Sequence, residues 1–294
     1  MGMKTCYLCG SDRMKIFHKG VRDNANIDVM RCDECGLLQL SDFYSLEDDF
    51  YEKSRMLEDQ YDIEENRITN QTWEAWRRET AEDDLRRADF LKEKCQNKRI
   101  LDFGCGNGGF LKNIKPYASL AVGVELDAKA RHKIKEEDIE VCSRIEEWKE
   151  EKFDIITMFQ VIEHLNKPYE CLKSIYTYLK PGGVLIIETP NAEDALISLY
   201  HCKAFMDFTF WSEHIMLYNS NTLEKMVCTC GFEIVHPYQI QRYPISNHLY
   251  WLSRGKPGGR DKYKEFSGAE ITKAYSDILA KNKQCDTLFF EFVK

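Results

Sequence analysis

Four short apolar runs set the frame of this chain. Ile100-Leu101, Leu120–Glu125 (LAVGVE), Phe153–Phe159 (FDIITMF) and the apolar part of Leu179–Pro190 (LKPGGVLIIETP) are each too short for a buried helix and are bounded by turn residues or an acid. They read as buried strands. The fourth is preceded by a helix end and a Pro-Gly-Gly turn. Between 99 and 240 such runs alternate regularly with helical patterns, so a parallel sheet with helices on both faces is expected, an α/β fold. Upstream, Thr72 is placed to cap a long helix running to about Lys94. Ala81, Leu85, Ala88 and Leu91 follow helical spacing along it, and Trp73 and Trp76 stand near its start. Downstream, Asn221–Cys230 reads as a helix ended by Gly231, and Phe232–Ile240 as a strand. Residues 241–267 read as an irregular excursion, Ala269–Lys281 as a helix and Thr287–Val293 as a last strand. Ile27–Arg31 alternates like a strand. Residues 41–70, acidic and aromatic, read as a connecting segment with short helical turns. The expected division is a lobe at 1–40, a helical linker at 41–95 and an α/β domain at 96–294.

Composition narrows the partners. The 294 residues carry a net charge of −8, which disfavours a broad nucleic-acid surface, since that needs clustered Lys and Arg. Arg77-Arg78 and Arg86-Arg87 are interleaved with acids on one helix, as a solvated face would be. No apolar run is long enough to span a membrane, and MGMKTCYLCG has no hydrophobic export segment. A cytoplasmic protein is expected. Twelve cysteines then imply reduced thiols or metal ligands rather than a disulfide frame.

Four of those cysteines are spaced for metal. Cys6-x-x-Cys9 and Cys32-x-x-Cys35 are each followed at once by glycine, Gly10 and Gly36. Two such tight turns aim four sulfurs at one point, a tetrahedral four-thiolate zinc site. Four thiolates leave zinc no open position, so the expected metal is structural.

The first strand leads through Asp102 into glycines at 104, 106, 108 and 109. A glycine turn that feeds a helix lets backbone approach a ligand closely. Its spacing is tighter than that of the dinucleotide motif and suits a nucleoside without a pyrophosphate. Glu125 ends the second run about 20 residues later, where a doubly wound fold places the carboxylate that grips ribose hydroxyls. The stretches LDFGCGNG, GVELD, FDIITMFQVIEHL and LKPGGVLIIETPN, in this order and at these intervals, resemble the class I S-adenosylmethionine-dependent methyltransferases over roughly residues 85–240. The resemblance implies a doubly wound, mostly parallel seven-stranded Rossmann-like sheet, the last strand inserted antiparallel beside its predecessor. It implies that Asp102 orients the turn or takes the cofactor's amino group, and that Gly104, Cys105 and Gly106 let main chain approach the methionine moiety and ribose. Glu125 would accept from both ribose hydroxyls, Leu126 would lie against adenine, and Gln160 near the methionine end. Residues 142–145 would flank the adenine, whose amine is left to Glu146 or to main chain.

Methyl transfer from a sulfonium needs alignment of the acceptor and, for a hydroxyl or carbon acid, one base. Histidine suits that role at neutral pH. His164 follows the third of the apolar runs, and His214 stands in Trp211-Ser212-Glu213-His214. The layout is similar to that of the deoxysugar C-methyltransferases, which carry the same four-cysteine unit. The resemblance implies a catalytic Glu213-His214 pair assisted by His164. The sequence given stops at 294 without a counterpart of their long C-terminal domain. Glu163-His164 also resembles the ubiquinone-biosynthesis O-methyltransferases, where two glutamates and a histidine hold a divalent metal. Gln160 stands at the first of those glutamates, so no catalytic metal is expected. Tyr243, Asn247 and His248, in an aromatic and amide-rich segment, suit stacking and hydrogen bonding to a sugar ring.

The leading expectation is therefore methyl transfer to a small polar acceptor, a sugar or nucleotide-linked sugar, in carbohydrate or secondary-metabolite synthesis. O-methylation of a quinone or small aromatic is the second reading. A non-catalytic zinc-ribbon interaction protein on a cofactor-binding scaffold is the third.

Overall fold

The structure, a computed structural model, describes residues 5–42, 60–62, 67–69, 72–149 and 152–294. In chain order the first elements are β1 (Met14–His18), β2 (Val29–Cys32), β3 (Leu38–Leu40), β4 (Gln60–Asp62), β5 (Arg67–Thr69) and α1 (Trp73–Leu91). Then come β6 (Arg99–Phe103), α2 (Gly109–Ile114), β7 (Leu120–Val124), α3 (Ala128–Glu136), β8 (Val141–Cys142) and β9 (Phe153–Phe159). Next are α4 (Pro168–Tyr178), β10 (Leu179–Pro190), α5 (Ala195–Ser198), α6 (Lys203–Thr209) and β11 (Met216–Leu217). The chain ends with α7 (Ser220–Cys228), β12 (Glu233–Ile240), α8 (Ile245–Arg254), α9 (Gly259–Lys262), α10 (Ala269–Lys281) and β13 (Thr287–Val293).

Seven strands form one sheet in the order β12-β13-β10-β9-β6-β7-β8. β6 pairs in parallel with β7 on one side and β9 on the other, and β7 with β8. The strand order therefore reverses between β6 and β9, which opens a crevice at their carboxyl ends. The runs read from hydrophobicity are these strands. The last helix and last strand carry the expected bounds, and β13 lies beside β12 as expected.

Two compact units divide the chain. One gathers the described residues of Leu46–Phe159 with Lys173–Ile186 and Val293–Lys294. Its core packs Leu101, Val122 and Ile156 with Phe110, Leu111 and Ile114 of α2, all nearly solvent-free. The other gathers the described residues of Met1–Ser45 with Gln160–Leu172 and Ile187–Phe292. It contains a second sheet, β1-β2-β3-β11, whose pairings are all antiparallel. Val29, Leu38 and Leu40 face its core.

Four readings need correction. On α1, which Thr72 caps by accepting from the Ala75 N–H at 3.1 Å, Ala81 and Leu85 are exposed, while Asp84 and Arg87 are buried with Ala88 and Leu91. The polar pair turns inward because it meets the glycine turn, described below, and that overrides the apolar spacing. Residues 241–267 are not irregular: α8, α9 and a short 3-10 turn at Lys264–Phe266 occupy them. Ser246, Asn247, Tyr250 and Trp251 give α8 a buried face at helical spacing. The strand pairing of β10 begins at Leu179, so the Pro-Gly-Gly segment runs within it. In 41–70 the described residues form an antiparallel pair, Gln60↔Thr69 to Asp62↔Arg67, rather than helical turns; Phe43, Tyr44, Phe50 and Tyr51 lie outside the described residues.

Candidate functional site

In the unit built on β6 and β7, the chain leaves β6 at Asp102 and turns sharply. Gly104, Gly106 and Gly108 all take positive φ (74°, 55° and 72°), a region open to glycine at little cost. The N–H groups of Gly104 and Cys105 both donate to Val124 O, at 2.8 and 2.9 Å. Glu125 fastens the turn to the end of β7. Its Oε2 accepts from Gly106 N at 2.7 Å and its Oε1 from Asp127 N at 2.9 Å. Asp127 in turn caps α3. Burial pushes the Glu125 carboxyl up to about 7, against the pull of those two N–H donors. Asp102 is 3% exposed and accepts from Thr157 Oγ1 at 2.7 Å. Burial pushes it to about 7 as well, with the Thr157 bond opposing. Two carboxyls poised near neutrality thus stand on neighbouring strand ends, where a cationic amine and a diol would each favour the ionised form.

α1 builds the floor of this turn. Arg77 donates to Asn107 O at 2.7 Å, and the Asn107 side chain bridges Thr80 Oγ1 and Gly109 N at 2.9 and 3.0 Å. Thr80 donates to Asp84 at 2.7 Å, and Asp84 meets Arg87 at 3.4 Å. A Cβ on Gly109 would collide with the Asp84 carboxylate. Sequence reasoning missed these residues. The signal was Asp84 and Arg87, three apart, sharing a helix face with Ala88 and Leu91.

The expected cofactor residues divide by what they offer. Cys105 turns its sulfur to β7, where a Cβ on Gly123 would lie 2.6 Å from it, so only its main chain can face a ligand. Leu126 is half-buried, and its carbonyl accepts from Arg131 at 2.5 Å. Glu147, also missed, organises the segment after β8 by accepting from Ser143 N, Ser143 Oγ and Arg144 N.

The second unit carries Gln160 and the histidines. Gln160 takes a positive φ of 56°, donates its N–H to Glu188 O at 2.7 Å, and its side chain lies 3.4 Å from Glu188 Oε1. His164 closes a 3-10 turn, Ile162–His164. Its Nδ1 lies 2.8 Å from Glu213 O, which fixes the proton on Nδ1 because a carbonyl can only accept. The His164 and His214 rings are 4.9 Å apart and tilted by 68°, and Trp211 stands 5.2 Å from His214. Glu163 is fully buried and accepts from Thr189 Oγ1 at 2.9 Å through Oε2. Its Oε1, 4.0 Å from His164 Nε2, has no hydrogen-bond partner, and neither has His214 Nδ1. Burial lowers His164 to about 4 and pushes Glu163 up to about 7. It also lowers His214, helped by His164 and Arg22. Both imidazoles are thus neutral at pH 7.

Glu213 reaches His164 through its main-chain carbonyl, and its carboxylate acts on Arg22. One nitrogen of each histidine and one oxygen of Glu163 lie within 4.8 Å of one another. Such a set could hold a divalent ion, with the Glu213 carbonyl as the outer partner that orients His164. His214 is the donor that sequence reasoning did not weigh for metal.

Tyr243 is 44% exposed and receives support through its N–H, which donates to Asp286 at 3.1 Å. Asn247 and His248 are buried on α8. The His248 ring is held by Tyr275 OH at 2.8 Å and Gln241 Nε2 at 3.3 Å, so it faces inward rather than to solvent. The four cysteines converge as expected. Cys6 and Cys35 sulfurs are 3.5 Å apart, Cys9 and Cys32 likewise, and all four lie within 4.8 Å of one another.

Residues 73–237 match a family model described as a methyltransferase domain, more than half of the chain. The chain belongs to this methyltransferase family. Its fold is the expected Rossmann-like one of that family. A ubiquinone biosynthesis O-methyltransferase of Glaesserella parasuis is 27% identical over 133 residues, covering 40% of this chain and 53% of the relative. An uncharacterised protein of Methanocaldococcus jannaschii is 30% identical over 167 residues, covering 55% of this chain and 64% of that one. The methyltransferase chain thus spans between half and two thirds of the length of these curated relatives. A methyltransferase structure from Archaeoglobus fulgidus shares the fold at a TM-score of 0.50 and 21% identity, over 74% of this chain and 94% of that one. Among the described residues, no helix of the methyltransferase is long and apolar enough to cross a membrane.

Proposed function

We propose that this methyltransferase acts on a small, hydroxyl-rich acceptor, a sugar or nucleotide-linked sugar, and that the His214–His164 pair takes the acceptor's proton. The observation that carries this is the pair of buried atoms without partners, Glu163 Oε1 and His214 Nδ1, on either side of His164. Left without partners, each would cost roughly 1–3 kcal/mol, and the hydroxyls of a hydroxyl-rich acceptor supply them. In this reading His214 receives the proton. His164 orients it and shares the charge, its own tautomer held by the Glu213 carbonyl. Both rings are neutral at pH 7, which is the protonation state a base needs, and the buried Glu163 carboxyl steadies the imidazolium that forms. S-adenosylmethionine supplies the electrophilic methyl group. The glycine turn at Gly104, Cys105 and Gly106 would hold its methionine and ribose through main chain, Asp102 its ammonium, Glu125 its ribose hydroxyls and Leu126 its adenine face. Tyr243 would be the exposed aromatic that meets the acceptor.

The four cysteines fit a structural zinc. Tetrahedral bonds of about 2.3 Å put sulfurs about 3.8 Å apart, close to the 3.5 Å found for the two tight pairs. The names of the curated relatives support a second reading, O-methylation of a quinone or small aromatic. A screen that reads S-adenosylhomocysteine release decides between them. Turnover with nucleotide sugars and none with catechols or quinols is the expected result; the reverse pattern overturns the sugar reading.

A further inference from the structure

The stretch that carries His214, residues 207–217, is held along its length by the cysteine-bearing lobe of the same compact unit. β11 pairs with β3 through Met216↔Gln39 and Leu217↔Leu38, and Leu40 N donates to Ile215 O at 3.0 Å. On the other flank of His214, Arg22 N donates to Phe210 O at 2.9 Å. The Arg22 guanidinium lies 4.4 Å from the Trp211 ring centroid and 3.4 Å from Phe208 O. Between them, Asp23 Oδ1 accepts from Ser212 N at 3.0 Å and Asp23 Oδ2 from Ser212 Oγ at 2.5 Å. His18 Nε2 meets Asp207 at 3.0 Å. Asp23 itself sits next to a tight turn in which Val21 and Asn24 exchange main-chain bonds at 3.0 and 3.1 Å. The lobe's β3 is tied back to its first cysteine turn, since Gln39 accepts from Tyr7 N at 2.8 Å and donates to Thr5 O at 3.2 Å.

A metal-binding lobe that only folded itself would have no need of this clasp. Two bonds from one carboxylate end on Ser212, two residues before His214, and a planar cation stacks on Trp211, whose ring touches both histidines. Ser212 is not buried enough for these bonds to be forced by satisfaction of its own polar groups. What they fix is the path of the loop, and with it the Glu213 carbonyl that sets the His164 tautomer.

We propose that Asp23, with Arg22, is a positioning residue for the His214–His164 pair, so that the cysteine-bearing lobe is part of the methyl-transfer machinery. The proposal rests on the reading of that pair as proton acceptor. The test is Asp23→Ala in the full chain, with imidazole nitrogens read by long-range 15N spectroscopy, cofactor affinity by calorimetry, and turnover with the acceptor found by the screen. The expected result is that His164 and His214 signals move while those of the exposed His132 and His236 stay. S-adenosylmethionine affinity should hold within about twofold, and kcat should fall roughly tenfold to a hundredfold with a smaller change in KM. Asp23→Asn keeps Oδ1 for the Ser212 N–H and should recover most of the loss. If Asp23→Ala does not fold, Ser212→Ala, which removes only the hydroxyl contact, carries the same readouts. Unmoved His164 and His214 signals overturn the proposal. Moved signals with unchanged turnover support the clasp and instead sink the histidine pair as base.

Discussion

Replacing Glu125 by alanine tests the cofactor site most directly. In the structure its carboxylate already accepts from Gly106 N and Asp127 N, and two ribose hydroxyls would donate to its remaining lone pairs. Two charge-assisted bonds contribute roughly 1.5–3 kcal/mol each, and some of that is recovered by water in the variant, so a loss of about 2–4 kcal/mol in S-adenosylmethionine binding is expected at pH 8. The pH dependence sharpens the test. The carboxyl sits near 7, and donors on the ligand favour its ionised form. At about pH 6 roughly one Glu125 in eleven is ionised and at about pH 8 roughly ten in eleven, so wild-type affinity should rise about tenfold over that span from this group alone. Asp102, also near 7 and proposed to meet the ligand's ammonium, steepens that rise further. Glu125→Ala should keep only the Asp102 part. Calorimetry at three pH values reads both quantities. A variant with the wild-type dissociation constant and the wild-type pH slope would refute the assignment of Glu125 to the ribose.

Metal analysis of protein never exposed to chelator should find one zinc per chain; less than about half an equivalent counts against the four-thiolate site. His214→Asn should lower turnover by roughly two to four orders of magnitude while cofactor binding persists, and His164→Ala should cost less; near-normal turnover for His214→Asn removes it as the base. Asp194, buried beside Asp286, has its carboxyl pushed from 3.8 to about 8, by burial first and Asp286 second. Its folded-state value is raised, so the stability present below the unfolded value is lost as pH rises toward 8. Asp194→Asn, whose Oδ1 still can accept from Leu196 N, should therefore raise the melting temperature more at about pH 9 than at about pH 5, and a gain that shrinks with rising pH contradicts the argument.

Much of this protein is written in local pattern. Apolar runs of strand length with helical spacing between them give the sheet its strands, because burial on both faces demands continuous hydrophobicity. The glycines at 104, 106 and 108 announce their turn because positive φ excludes most other residues, and Glu125 announces itself by its distance from them. Two Cys-x-x-Cys turns suffice to bring four sulfurs together, since each turn is a local structure.

What local pattern could not carry are relations across the chain. Asp84 and Arg87 look like a solvated face of α1 until Asn107 of the glycine turn, 20 or more residues away, is seen bonded to Thr80 and through it to Asp84. The amide-rich segment 243–251 looks like open binding surface, yet Tyr275 and Gln241 take the His248 ring into the interior. The partner that the Glu213 carbonyl finds is His164, 49 positions earlier. Sequence determined which groups are present and which turns they make. Only tertiary packing decided which of them meet, because a hydrogen bond or a buried carboxyl depends on what folds over it and not on its neighbours along the chain.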